Sequence, residues 1–113
     1  MGKPRFRPAS ICVNPREFGR KPRPIWEKSP NLGPREVAWA LYQHHAALAT
    51  NQALAARGQE ISDLATLLEE DPAWLRRKLY GQVPADLGDI LAWALELGID
   101  ILPDASSAGY FKV

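Results

Sequence analysis

The side chains best equipped for intermolecular chemistry form two basic sets. One is Arg76-Arg77-Lys78, followed closely by Tyr80 and Gln82. The other interleaves cations with proline near the N-terminus, in Lys3-Pro4-Arg5-Phe6-Arg7-Pro8 and Arg20-Lys21-Pro22-Arg23-Pro24. A guanidinium presents forked donors that match phosphate oxygens or the major-groove edge of guanine. Proline-spaced arginines suit an arm that tracks a groove of nucleic acid. Other chemistry is poorly provided for. His44 and His45 are neighbours about 100° apart on a helix and cannot grip one ion together, and no His-Glu-x-x-His set or acidic cluster supports a metal. His44 falls on a packed stripe and reads as a core histidine. Cys12 has no evident catalytic partner and reads as a spectator thiol. With no phosphate-binding glycine loop and no nucleophile beside a base, the expectation is a chain without enzymatic activity, cofactor, metal or small-molecule substrate.

The charge is unevenly distributed. The 113 residues carry a formal net charge of +1, yet residues 1–30 hold eight basic side chains against Glu17 and Glu27, a net of +6. The remainder holds 6 basic and 11 acidic side chains and is therefore −5. A basic segment on a mildly acidic body points to nucleic acid or an acidic surface as partner. One cysteine permits neither an internal disulfide nor a thiolate metal cage. No apolar run approaches the roughly 18 residues of a membrane span, and Ala9-Ser10-Ile11-Cys12-Val13 is too short for a signal-peptide core of about 7–15 residues. A cytoplasmic, nucleoid-associated protein is expected.

Two compositions divide the chain. Six of the ten prolines fall in residues 1–30, where they remove donors and bias their predecessors away from helix. Residues 1–33 are therefore expected to be an extended basic arm that buries little, although Phe6, Ile11, Val13, Phe18, Ile25 and Trp26 are available to dock on the body or on a partner. Residues 34–103 are rich in alanine and leucine without alternating β-branched runs, so an all-α body of four to five helices is expected. Residues 104–113 read as a polar tail with an aromatic tip, Tyr110-Phe111.

Within the body, a long first helix opens at Pro34 and runs to about Arg57, stopped by Gly58, over about 36 Å. Val37, Leu41, His44, Leu48 and Ala55 form one stripe on it. Trp39, Tyr42, Ala46, Ala49 and Ala53 form a second on roughly the opposite side, and two apolar faces require two partners. A second helix covers about Ser62 to Glu69. A third has Asp71 as N-cap, Pro72 in its first turn and Gly81 as its stop. A fourth follows Pro84 and Asp86, with Leu87, Ile90, Leu91, Ala94 and Leu97 in helical spacing up to Gly98, and a short turn spans Ile99 to Leu102. On the third helix Leu75 and Leu79 define the buried side, and Arg77 points away from it with Ala73 and Trp74 on its flanks.

Gly58-Gln59-Glu60-Ile61-Ser62-Asp63-Leu64-Ala65, Leu68 through Leu75, Leu79-Tyr80-Gly81-Gln82-Val83-Pro84 and Trp93-Ala94-Leu95-Glu96-Leu97-Gly98-Ile99 together resemble the Cro and phage-repressor type of helix-turn-helix, the XRE family. The likeness is to actinobacterial and actinophage members in particular. It covers roughly residues 50–102, under half of the chain. Glu60 stands where the family has a Ser or Thr N-cap, Ile61 where it often has a phosphate-touching Gln, and Glu69 where the turn usually has Gly. With Glu70 and Asp71, Glu69 puts three carboxylates near the expected DNA path, where they weaken nonspecific attraction.

The resemblance implies base contacts from Pro72, Ala73 and Arg77, with Trp74 beside them. Arg76, Lys78, Tyr80 and Gln82 are then placed for backbone phosphates. Arg5, Arg7, Arg20, Lys21 and Arg23 are the contacts expected from the arm. The corresponding function is sequence-specific binding of double-stranded DNA by a transcriptional repressor or regulator of phage, plasmid or bacterial type. A homodimer would pair through the first helix, with Trp39, Tyr42, Ala46 and Trp93 as candidate interface residues. Two alternatives remain: a protein-interaction adaptor, such as an antitoxin or a polymerase or virion accessory protein that binds through the arm or the aromatic patch, and RNA binding through the arm. On the leading expectation, affinity resides largely in residues 1–30 and specificity in residues 72–82.

Overall fold

In a computed structural model that describes residues 6–100, the alanine- and leucine-rich part of the chain folds into four α-helices. These are α1 (Pro34–Ala56), α2 (Ile61–Leu68), α3 (Pro72–Leu79) and α4 (Leu87–Leu97). Two 3-10 turns, Pro8–Ile11 and Pro15–Glu17, precede them. Among the described residues there is no strand; one isolated antiparallel bridge joins Cys12 and Trp26. The tail expected over 104–113, Leu102 of the expected last turn and Arg5 of the arm lie outside the described residues.

Local chemistry sets the helix ends close to where the sequence places them. Pro34 sits in the first turn of α1, and the Gly33 amide donates to Glu36 Oε1 at 3.0 Å. Asp71 caps α3 by accepting from the Trp74 amide at 3.3 Å. At the start of α4, Asp86 and Asp89 cap each other reciprocally, the Asp89 amide donating to Asp86 Oδ1 at 2.8 Å and the Asp86 amide to Asp89 Oδ2 at 3.0 Å. Gly98 ends α4 in the left-handed region. The turn after α2 does the same with a costlier residue: Glu69 adopts φ 53°, where a Cβ adds about 1 kcal/mol of strain.

The long helix α1 is the central element, and both of its faces are covered from within the chain. Trp93, Leu64, Leu75, Leu79, Ile90 and Leu97 are fully buried in the body. Gln43 ties α1 to that side: its Nε2 donates to the carbonyls of Lys78 (2.7 Å) and Val83 (3.0 Å), and its Oε1 accepts from the Ala85 amide (2.8 Å). A fully buried amide with all three bonds made is inexpensive to bury and holds the 83–85 connection in place.

The opposite side of α1 is covered by the N-terminal segment, which corrects the expectation of an arm that buries little. Phe18 is fully buried, and Ala9, Ile11 and Cys12 are buried with it. Burial of Phe18 alone removes apolar surface worth about 2–3 kcal/mol. Three long-range hydrogen bonds fix the segment: Ala9 N–H to the Gly81 carbonyl at 2.9 Å, Gly19 N–H to His44 Nδ1 at 2.8 Å, and Asn51 Nδ2 to the Gly19 carbonyl at 2.9 Å. The prolines exclude helix, as expected, but extended backbone with two 3-10 turns still presents enough apolar side chains to pack. The face of α1 that carries His44 therefore finds its partner in residues 6–27 of its own chain, while Trp39 on the other stripe bonds to Ala85 of the body. Ala46 and Trp93, both fully buried in this core, are not available as interface residues.

Candidate nucleic-acid interface

Helix α3 positions the candidate residues by its amphipathicity. Leu75 and Leu79 are fully buried, and Pro72, Ala73, Trp74, Arg76 and Arg77 are exposed along the outer side. The helix is held on α2 by packing through the three-residue turn Glu69-Glu70-Asp71. Arg76 and Arg77 fall in its last turn, where they also complement the negative end of the helix dipole.

Lys78 departs from its expected role. Its side chain is buried, and Nζ donates to Glu70 Oε1 at 2.6 Å and to Asp89 Oδ1 at 2.8 Å. Burial disfavours its charge, but the two carboxylates outweigh this and the ammonium pKa is raised. Lys78 also lies 5.6 Å from the centre of the Trp74 ring. This cation joins the α2–α3 turn to α4, and its largely buried ammonium is engaged by two carboxylates rather than presented to solvent. The same arrangement lightens the acidic turn. Glu70 shares the Lys78 ammonium with Asp89 and Asp71 is engaged as a cap, so two of the three carboxylates expected to repel DNA have internal partners.

The docked N-terminal segment carries part of the basic set to the same surface. Arg7, exposed, lines a half-open cleft of about 610 Å³ with Ser10, Arg77 and Gln82, bordered by Gly81 and Val83. Arg20 stacks its guanidinium 3.9 Å above the ring of the half-buried Tyr80, a contact worth about 0.5–1 kcal/mol. Two glycines allow this approach. A Cβ on Gly81 (φ +72°) would lie 2.6 Å from the Phe18 ring and 2.8 Å from the Ala9 amide nitrogen. A Cβ on Gly19 (φ +70°) would collide with the Leu79 carbonyl oxygen and stand 3.1 Å from Ala47.

Other expected residues are distributed more widely. Lys21 pairs with Glu17 at 3.1 Å, and that pair together with the Ile25 amide keeps the Glu17 carboxyl below its usual range. Arg23 is exposed, without a contact that ties it to α3. Trp39 is 41% exposed, donates from Nε1 to the Ala85 carbonyl at 2.6 Å and packs against Phe6 at 5.4 Å between ring centres. Tyr42 is half-buried in the core margin. Ser10 was not singled out from sequence; its signal lies in the apolar residues around it, Phe6, Ala9 and Ile11, which pin the segment against the end of α3.

The remaining reactive groups are withdrawn from solvent. Burial and the Glu17 charge push the Cys12 thiol up to about 11, which leaves it unreactive at neutral pH. His44 is fully buried, with the rings of Phe18 and Trp26 each 5.3 Å from its own. Because Nδ1 accepts from Gly19, its proton resides on Nε2, and burial together with His45 lowers its pKa to about 4. Among the described residues no group of three or more His, Cys, Asp or Glu is placed to hold a metal, and no helix is long and apolar enough to cross a membrane.

No family model matches the chain, and neither a curated protein nor a solved structure matches it.

Proposed function

We propose that the protein binds double-stranded DNA in a sequence-specific manner through a helix-turn-helix formed by α2 and α3, and acts as a transcriptional regulator of phage, plasmid or bacterial type. The observation that carries this proposal is the cleft that Arg77 of α3 lines together with Arg7 of the docked N-terminal segment, with Arg76 exposed on the same helix and Arg20 stacked on Tyr80 at its end. Arg77 projects opposite the buried leucines of α3 and is the residue for base readout, where a bidentate arginine–guanine contact is worth about 1–3 kcal/mol of discrimination. Pro72, Ala73 and Trp74 flank it on the groove-facing side. Arg76, Tyr80, Gln82, Arg7 and Arg20 serve the phosphates, which set register and affinity but not sequence.

Selection of bound sequences from a random duplex library at moderate salt tests this function. An enriched motif is expected. A bound pool without any enriched motif would instead favour an adaptor whose basic surface meets an acidic protein.

A further inference from the structure

The cleft between the N-terminal segment and the end of α3 is a concavity with one sign of charge. Arg7 comes to it from the segment and Arg77 from α3, and among the described residues no acidic side chain lines it. Neither guanidinium has a carboxylate or hydrogen-bond partner among those residues. The walls are fixed by the fold itself: Ala9 N–H donates to the Gly81 carbonyl at 2.9 Å, and Gln82 N–H donates to the Arg77 carbonyl at 2.9 Å. Two unpaired guanidiniums on one concavity favour an anion between them. At about 610 Å³ the cleft falls in the range of small-molecule sites, about 300–1,000 Å³, and holds far more than a bare inorganic anion.

The rest of the lining indicates what such a ligand carries besides its charge. Ala9, Pro15 and Val83 contribute apolar surface against which a flat ring can lie. The Ser10 hydroxyl donates to the Arg7 carbonyl at 2.8 Å, so its oxygen is left to accept from a sugar hydroxyl or a ring N–H. The Gln82 side chain, exposed and unpartnered within the described residues, offers both a donor and an acceptor. We propose that this cleft is an effector site for a small phosphate monoester bearing a flat ring, with a mononucleotide as the type. A monoester carries about −1.5 to −2 charges at pH 7 and can engage both guanidiniums at once through their forked donors. A duplex brings single charges along a convex edge that passes over the mouth of the cleft, and its stacked bases cannot enter. Ligand and duplex would then compete for Arg7 and Arg77. That regulatory consequence rests on the proposed DNA binding, whereas the site itself does not.

Titration calorimetry of the full chain without nucleic acid, using the common ribonucleoside monophosphates, their nucleosides and inorganic phosphate, tests the site. Saturable binding of at least one monophosphate is expected, with its nucleoside and inorganic phosphate each at least about tenfold weaker, because each lacks part of the contacts. Arg7→Ala and Arg77→Ala should each raise the dissociation constant about tenfold or more. Arg35→Ala, which removes an exposed cation of α1 outside the cleft, should leave it unchanged. Because the walls come from two elements, the saturating monophosphate should also raise the unfolding temperature of wild type. Absence of binding by every monophosphate, equal binding of the nucleoside or of inorganic phosphate, or an equal loss in Arg35→Ala overturns the proposal. The effector role is read separately: the monophosphate should weaken wild-type binding to the duplex enriched by selection, and an unchanged duplex affinity overturns that role. Where selection enriches no duplex, the DNA reading has failed and calorimetry still decides the site.

Discussion

Lys78 shows how one side chain's surroundings decide its role. In sequence it continues the run Arg76-Arg77-Lys78, three cations of equal standing. In the fold its position on α3 points it back toward Glu70 and Asp89, and it becomes a buried tie between elements. His44 is a parallel case with a measurable consequence. Its pKa of about 4 lies below the ordinary value of 6.5, so the folded chain holds it neutral. The resulting stability is fully present above pH 6.5 and is lost as pH falls through 6.5 toward 4, a loss of at most about 3 kcal/mol. Because a protonated imidazole cannot accept from Gly19, the N-terminal segment should loosen with it. Chemical denaturation of wild type and His44→Gln between pH 7 and 5 checks this: wild type should lose more stability over that interval than the variant, which keeps only the contribution of His45, whose pKa burial also lowers, and parallel curves would refute the assignment.

At the scale of elements, the helices and most of their limits were legible in sequence, because caps and stops act within a few residues. Asp71-Pro72, Gly81, Asp86 and Gly98 each mark an end through local hydrogen bonding or backbone freedom. The partner of the outer face of α1 was not legible. The bonds that dock the N-terminal segment join residues far apart in sequence, Gly19 to His44 and Ala9 to Gly81, and no periodicity reports them. The six prolines of residues 1–30 correctly exclude α-helix but wrongly suggest little burial, since Phe18 and Ile11 pack from extended and 3-10 backbone. The docking has a sharp mutational signature. Gly19→Ala places a methyl against the Leu79 carbonyl and strains a left-handed residue, which should destabilise the fold by about 2–4 kcal/mol. Thermal unfolding of this variant close to wild type would mean that the segment is not seated against α3. Removal of residues 1–30 is accordingly a poor probe of binding, because it strips Phe18, Ile11 and Cys12 from the core.

For the molecule as a whole, the split between a +6 segment and a −5 remainder becomes a spatial arrangement. The acidic turn is partly neutralised by Lys78, Arg7 is carried to the cleft beside Arg77 and Arg20 to Tyr80 at the end of α3, so on the proposed function the N-terminal segment supplies attraction next to the helix that reads sequence. Each phosphate contact releases counterions and adds about 0.9 to the slope of log affinity against log salt. Arg7→Ala combined with Arg20→Ala should therefore weaken duplex binding and flatten the slope by about 1.8 if each meets one phosphate, without altering sequence preference. An unchanged salt slope would remove the N-terminal segment from the interface. Which residues were candidates for contact was legible from their types; that Arg7 and Arg77 line one cleft, and that Lys78 is excluded from it, depends on the docking and was not.

The most direct measurement compares wild type and Arg77→Ala on the duplex enriched by selection and on a scrambled duplex of the same composition, at one fixed salt concentration. Wild type should prefer the enriched duplex, and Arg77→Ala should lose that preference by about tenfold to a hundredfold while unfolding at nearly the wild-type temperature, since Arg77 is exposed. Equal affinity of wild type for the two duplexes, or a preference that Arg77→Ala retains in full, would contradict sequence readout by α3.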